Sequence, residues 1–291
     1  MKNSKAFTLI EISVVIVIIG LLIAGVAQAS KMVKKSQISA ARSITKQSPA
    51  DDIEGLAVWY ESVLEESFAE EESIDGSTVS NWNDLNPQSY SKNPATQTVA
   101  NSRPNYVYEG INNLPALRFG GAKFLQMNNN FCARNTTIFA VLRIGASTTN
   151  SPLDGWQVLF ADSSNLANDS IPIVVAGSSA LTFNGGSTDS WLYAANGALV
   201  TNDRPHLVTV TRSMDSGSRS ISVDGINNAT DNNGAVGREL IANSNMLIGR
   251  SANNSQYNGL IGEIIIYSRV LNGSERASVE NYLIKKWGIN N

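Results

Sequence analysis

The sequence predicts a mainly-β protein: an antiparallel sandwich carried on one long N-terminal α-helix and closed by a short C-terminal helix. Three observations predict it. An apolar run at 7–29 continues, without Pro or Gly, through a lysine-bearing stretch that stops only at Pro49. From about residue 55 the texture changes to short apolar runs separated by Asn, Ser, Gly and Thr, the residues of turns. The chain then closes on a segment with helical spacing, a capping signature and a glycine stop.

The N-terminal helix comes first. Residues 7–29 number 23 and span roughly 34 Å as a helix, enough to cross a bilayer core of about 30 Å. Lys2 and Lys5 precede the run, and Lys31, Lys34 and Lys35 follow it. The run exceeds the apolar core of a secretory signal, and the helical pattern continues beyond it. "KMVKKSQISAARSITKQ" carries a partial stripe at Met32, Val33, Ala40, Ala41 and Ile44, and Pro49 ends the helix near Gln47 or Ser48. A lone carboxylate, Glu11, sits in the oily run. There it costs about 3 kcal/mol on insertion scales, so a plain membrane anchor does not explain it.

The sandwich follows. "DDIEGLAVWYESV" opens it, and an acidic stretch with Glu65, Glu66, Glu70, Glu71 and Glu72 reads as a solvated loop or helical turn. Strand-like runs then recur: "LPALRF", "TTIFAVLRI", "WQVLFAD", "IPIVVA", "HLVTVTRS", "SISVDG", "MLIGRS" and "LIGEIIIYSRVL". Alternation with period two marks "HLVTVT" and "SISV" as half-buried strands, and many strands with short loops make a sandwich. In "NGSERASVENYLIKKWG", Asn272 is an N-cap with Glu275 three residues on. Val279, Leu283 and Trp287 share one face, and Gly288 is the stop.

Composition excludes several functions. The net charge of −3, with no basic stripe, argues against nucleic acid. One cysteine, Cys132, rules out an intramolecular disulfide and a cysteine-rich zinc site. One histidine, His206, removes most triad and metal chemistry.

"KAFTLIEISVVIVIIGLLIAG" resembles a type IV prepilin N-terminus, the class III signal, over about the first 45 residues. The resemblance implies a leader at 1–6, cleaved between Ala6 and Phe7 by prepilin peptidase, and methylation of the Phe7 amine. It implies a hydrophobic pilin helix over 7–48, transmembrane at 7–29, and places Glu11 fifth in the mature chain. Glu11 would then meet the Phe7 amine, its own or a neighbour's, each charge reducing the other's burial cost. Ala6 stands where Gly is usual. Gln28 stands where many pilins carry Pro, leaving Gly20 and Gly25 to loosen the helix.

"GLAVWYES" with "VSNWNDLN", "RPNYVYEGINNLPALRFGG", "TIFAVLRI" and the closing "GLIGEIIIYSRVLNGSERASVENYLIKKWGI" together resemble a bacterial laminin-G-like, concanavalin A-like domain. The resemblance implies a jelly-roll head over 50–291, replacing the usual small pilin head. Trp59, Trp82, Phe119, Phe139, Ile264, Ile266 and Trp287 are then core residues.

Such folds host lectins and glycoside hydrolases alike. A hydrolase needs two carboxylates flanking one bond. The strand at Glu263 offers one acid with no partner two residues on, and Asp224 falls at a hairpin turn. His206 reads as a structural polar residue and Cys132 as a small buried apolar one. No residue is therefore assigned catalysis, and no cofactor is expected. Calcium is the alternative, at 224–234, 162–170 or 184–190, although none forms a complete calcium loop. Trp156, Trp191 and Tyr193 are candidates for stacking on a sugar, with core packing as the other reading. The five Asn-x-Ser/Thr triplets read as chance matches.

The expectation is a pilin-like filament subunit, assembled through Phe7, Glu11 and Gly20 and displaying its head for adhesion or glycan or protein binding. Its partners would be other pilins, prepilin peptidase and a surface ligand. It would reside in the inner membrane before assembly and in an extracellular filament afterwards. The alternatives are a pseudopilin of a type II secretion system and a surface-tethered carbohydrate-active enzyme.

Overall fold

The computed structural model describes residues 8–128, 134–145, 157–162, 173–175, 181–183, 191–194, 203–234, 236–237, 245–251 and 256–289. The chain divides into two compact units, Met1–Ala40 and Ala41–Asn291.

The first unit is the helical arm. Helix α1 runs Leu9–Thr45, so it ends about two residues before the position the sequence suggests. Along Leu9–Val26 its large apolar side chains are exposed on every side, from 50% at Ile12 to 88% at Leu9. Among the described residues it is the one helix long and apolar enough to cross a membrane. A helix that is oily all round must be covered by lipid or by other protein.

The second unit is a two-sheet sandwich. In chain order its strands are β1 Leu56–Glu61, β2 Asn81–Trp82, β3 Ala95–Thr96, β4 Asn105–Ile111, β5 Leu114–Phe119, β6 Leu125–Met127, β7 Thr136–Ile144 and β8 Gln157–Asp162. There follow β9 Ile173–Val175, β10 Leu181–Phe183, β11 Leu192–Tyr193, β12 Pro205–Arg212, β13 Arg219–Val223, β14 Ile226–Asp231, β15 Met246–Ile248 and β16 Gly259–Tyr267. Helix α2, Gly273–Trp287, closes the chain.

All described pairings are antiparallel. One sheet runs β14-β13-β12-β7-β16-β5-β4, with β1 also on β16. The other runs β11-β10-β9-β8-β15-β6-β3-β2. Alternation decides which side chains enter the space between them. Val58, Tyr60, Ile138, Ala140, Val208, Val210, Ile264 and Ile266 point into one core together with Trp82, Phe119 and Phe183. Trp59, Phe139 and Ile265, on the opposite face, are also buried, because α2 covers that side.

Strand β16 changes partner along its length. Gly259–Ile261 pairs with β5, and Glu263–Tyr267 pairs with β1. Its register with β7 slips between Ile261 and Glu263. Ser62 closes the junction, its hydroxyl 2.6 Å from the Pro115 carbonyl and 2.7 Å from that of Gly262.

Helix α2 forms where the sequence places it. The Asn272 carboxamide accepts from the Ser274 and Glu275 amides, and Glu275 accepts from the Asn272 amide, a complete capping box. Gly288 ends the helix in the left-handed region at φ 59°. The turn at Trp82–Asp84 organises the backbone around it. Asp84 accepts from the amides of Trp59, Asn86 and Asn93, and the Trp82 indole donates to the Glu61 carbonyl. The acidic stretch forms 3-10 turns at Glu65–Ser67 and Glu70–Glu72.

Candidate functional site

At the head of α1, the Thr8 amide donates to Glu11 Oε2 at 2.8 Å and the Thr8 hydroxyl at 2.7 Å. The Glu11 amide donates back to the Thr8 hydroxyl at 3.3 Å. "TLIE" is thus a capping box, with the carboxylate held at the helix N-terminus, where the helix dipole favours negative charge. The sequence shows this signature, Thr followed three residues later by Glu before an apolar run, and it gives Glu11 a partner in its own chain. Gly20 lies mid-helix with open space around it. Ala6 and Phe7 lie outside the described residues.

The head's carboxylates are mostly committed to structure. Asp224, at φ 53° in the β13–β14 turn, accepts from the Leu207 amide at 2.8 Å and meets His206 Nδ1 at 2.7 Å. Asp231 pairs with both Arg219 Nε and Nη2, at 2.9 and 2.6 Å. Burial works against its ionisation, yet the bonds and charge of Arg219 hold its carboxyl below the usual range. Most of the oxygen-rich stretch at 224–234, named above as a calcium alternative, is strand β14. Its two carboxylates are spent on His206 and Arg219. No group of three His, Cys, Asp or Glu side chains fit for a metal occurs among the described residues. The segments 163–170 and 184–190, with Cys132, lie outside them.

The largest correction concerns Glu263. It has no acidic partner two residues on, but it has one across the sheet. Glu61 on β1 is its direct register partner. Lys286, in the last turn of α2, reaches down between them, contacting Glu61 Oε1 and lying 2.8 Å from Glu263 Oε2. All three side chains are wholly buried. Glu263 also accepts from the Trp59 indole, the Tyr282 hydroxyl and the Trp287 indole, each at 2.8 Å. Glu61 Oε2 accepts from the amides of Val63 and Leu64 at 2.8 and 2.7 Å and from the Ser67 hydroxyl at 3.3 Å. Burial pushes the Glu61 carboxyl up, Lys286 opposes this and Glu263 adds to it. Burial likewise raises the Tyr282 phenol. The only sequence signal was an acid inside each of two oily strands, 202 positions apart by number.

Two surface features remain. A cleft of about 600 Å³ is lined by Arg42, Glu65, Phe68, Glu70, Tyr106 and Tyr108, among others. Arg42 is occupied there, donating to the Val63 carbonyl and to Glu65. Tyr106 is pushed up to about 12, chiefly by burial. On the second sheet, Tyr193 is 52% exposed, while its neighbour Leu192 is buried. Trp191 is half-buried, packed against Val158 and Ala161. The structure therefore leaves Tyr193 open and gives Trp191 a packing role. Trp156 lies outside the described residues.

Residues 120–275 match the family model of the concanavalin A-like lectin/glucanases superfamily, more than half of the chain. The chain belongs to the concanavalin A-like lectin/glucanase superfamily. Residues 1–27 match the prokaryotic N-terminal methylation motif. Together these make it a pilin-like subunit with a concanavalin A-like head. No curated protein matches the chain.

Solved structures share the fold at low identity. A Trypanosoma rangeli sialidase in complex with the inhibitor DANA is 17% identical at a TM-score of 0.54, with 79% of this chain and 33% of that one covered. Domain 4 of AbnA, a GH43 extracellular arabinanase from Geobacillus stearothermophilus, in complex with arabinotriose, is 16% identical at 0.52, with 78% and 97% covered. The binding domain of Paraclostridial Mosquitocidal Protein 1 is 13% identical at 0.53, with 78% and 52% covered. The chain thus spans about a third of the sialidase and nearly all of the arabinanase domain. At such identities the likeness is one of fold.

Proposed function

We propose that the protein is a filament subunit whose helix assembles the fibre and whose concanavalin A-like head binds a surface ligand. Prepilin peptidase removes 1–6, and the Phe7 amine is exposed and methylated. Residues 7–29 hold the protein in the inner membrane until neighbouring helices replace lipid. The observation that carries this reading is Glu11 on a helix whose apolar side chains are exposed all round. Lipid or other helices supply the cover, and the capped carboxylate supplies a fixed charge for the amine of the same or the next subunit. A charge pair formed in a low-dielectric bundle sets axial register, because any other stagger strands both charges. Gly20 sits where close helix approach would need no side chain to move.

The head's role is binding rather than cleavage. The buried acid pair Glu61–Glu263 is sealed under α2 and engaged by donors on every oxygen, which is unlike the open, water-reaching pair of a glycosidase. Tyr193, exposed on β11, is the aromatic side chain offered to a sugar or protein, and Trp156 is a further candidate from the sequence alone. Carbohydrate is the first ligand class to test, because a domain of this fold is known in complex with arabinotriose. The experiment is imaging of fibres from cells making a tagged chain, with mass spectrometry of the mature N-terminus. Fibres containing a chain that begins at methylated Phe7 support the reading, and an intact chain still beginning at Met1 overturns it.

A further inference from the structure

The Glu61–Lys286–Glu263 cluster is arranged for more than an ion pair. Lys286 Nζ touches Glu61 Oε1, one bond from the carboxyl carbon Cδ. The other oxygen, Oε2, is gripped by two adjacent backbone amides, Val63 and Leu64, at 2.8 and 2.7 Å. Two convergent N–H groups on one carboxyl oxygen are what stabilise a tetrahedral oxyanion. Glu263 Oε2 lies 2.8 Å from the same Nζ, within reach to take its proton. Trp59, Tyr282 and Trp287 donate to Glu263 and wall the cluster, and the three charged side chains have no solvent exposure.

The geometry points to an intramolecular isopeptide bond between Lys286 Nζ and Glu61 Cδ, formed by the folded head itself with Glu263 as proton carrier. The step balances without a co-reactant. Glu263 takes a proton from the Lys286 ammonium, and the neutral amine attacks Cδ, with Oε2 held by the Val63 and Leu64 amides. Oε1 leaves with two protons that began on Lys286, at least one delivered through Glu263, as one molecule of water. The product is an amide N–H, and Glu263 returns to a carboxylate held by two indoles and a phenol. In water, hydrolysis of an amide is favoured because its ionised products are well solvated. Here those products would be a wholly buried ammonium and carboxylate, which a dry site penalises, and the balance moves towards the amide. The bond would staple the end of α2 to β1, tying the end of the chain to the start of the sandwich in a head that bears load on a fibre.

The test is peptide mapping of the full chain purified from membranes in detergent. Trypsin leaves Glu61 in the peptide 47–92 and a blocked Lys286 in 286–291. The expected result is those two peptides joined, lighter than their sum by one water, with intact mass lowered by the same amount. Folded protein yielding the two regions unjoined, at full mass, overturns the proposal. In Glu263→Gln, checked for folding by circular dichroism, the joined peptide should be lost. Its full persistence would overturn the assignment of the proton carrier. Lys286→Arg, which keeps the charge, should also give no joined peptide, and a water-loss product there would overturn the assignment of the nucleophile.

Discussion

The outer edge of the Trp287 indole packs against Gly262, so close that a Cβ on Gly262 would sit 2.5 Å from the ring. This is the point where β16 exchanges β5 for β1, and the missing side chain is what lets α2 seat on the sheet. Gly262→Ala should overpack the contact and destabilise the head by about 1–3 kcal/mol. Thermal denaturation followed by Trp fluorescence should show a melting point lower by several degrees. An unchanged value would mean that the helix does not dock as described.

Lys286→Met removes both the proposed amide link and the ammonium from which it forms, and leaves two carboxylates without a partner in a dry site. Breaking a buried charge pair costs about 3–5 kcal/mol. We expect a loss of at least that size, measured by urea denaturation of the full chain in detergent. The double variant Lys286→Met, Glu61→Gln should recover part of it, because the second change removes one of the stranded charges.

Acid should loosen α2 in a defined window. The hydrogen bonds from Arg269, then the Asn272 amide, lower the Glu275 carboxyl from 4.5 to about 2. A carboxyl depressed on folding contributes stability that is complete above its unfolded value and lost as pH falls through the folded one. Asp231, also depressed, acts with the same sign. Near-UV circular dichroism should therefore fade between about pH 4.5 and 2, and Glu275→Gln should flatten that fall. A transition confined to neutral pH would contradict the assignment.

Glu11→Gln keeps the shape and hydrogen-bonding capacity of the side chain and removes its charge. We expect normal chain levels in the membrane and loss of fibre. Immunoblots of membrane and sheared-fibre fractions separate the two effects, and equal fibre yield would exclude Glu11 from assembly.

Tyr193→Ala tests the binding surface. With half of its surface exposed, Tyr193 should contribute little to folding, so the melting point should stay within about 1 °C of the parent's, as for a surface substitution costing under 0.5 kcal/mol. Binding on a glycan array should drop. Unchanged binding to a glycan that the parent chain recognises would move the site elsewhere on the head.

The legible parts of the sequence were those governed by local chemistry. The oily run, the Asn272–Glu275 capping box, the Gly288 stop and the strand character of β12 and β13 each depend on residues within a turn or a strand of one another, although those two strands are buried on both faces rather than half-buried. Strand β14 was missed because "INNATD" has turn-forming residues and almost no apolar side. It holds only as the edge partner of β13, with Asp231 answering the buried Arg219.

The sequence by itself determined the pilin-like arm, the sandwich class and the closing helix, because periodicity and capping are written in neighbouring residues. Only the tertiary structure decided that Glu61, Glu263 and Lys286 meet. Their contact depends on β1 pairing with β16 in one register and on α2 folding back over that pair. Strand pairing between distant segments is chosen by the packing of the whole core. No local pattern encodes which two acids will share one lysine.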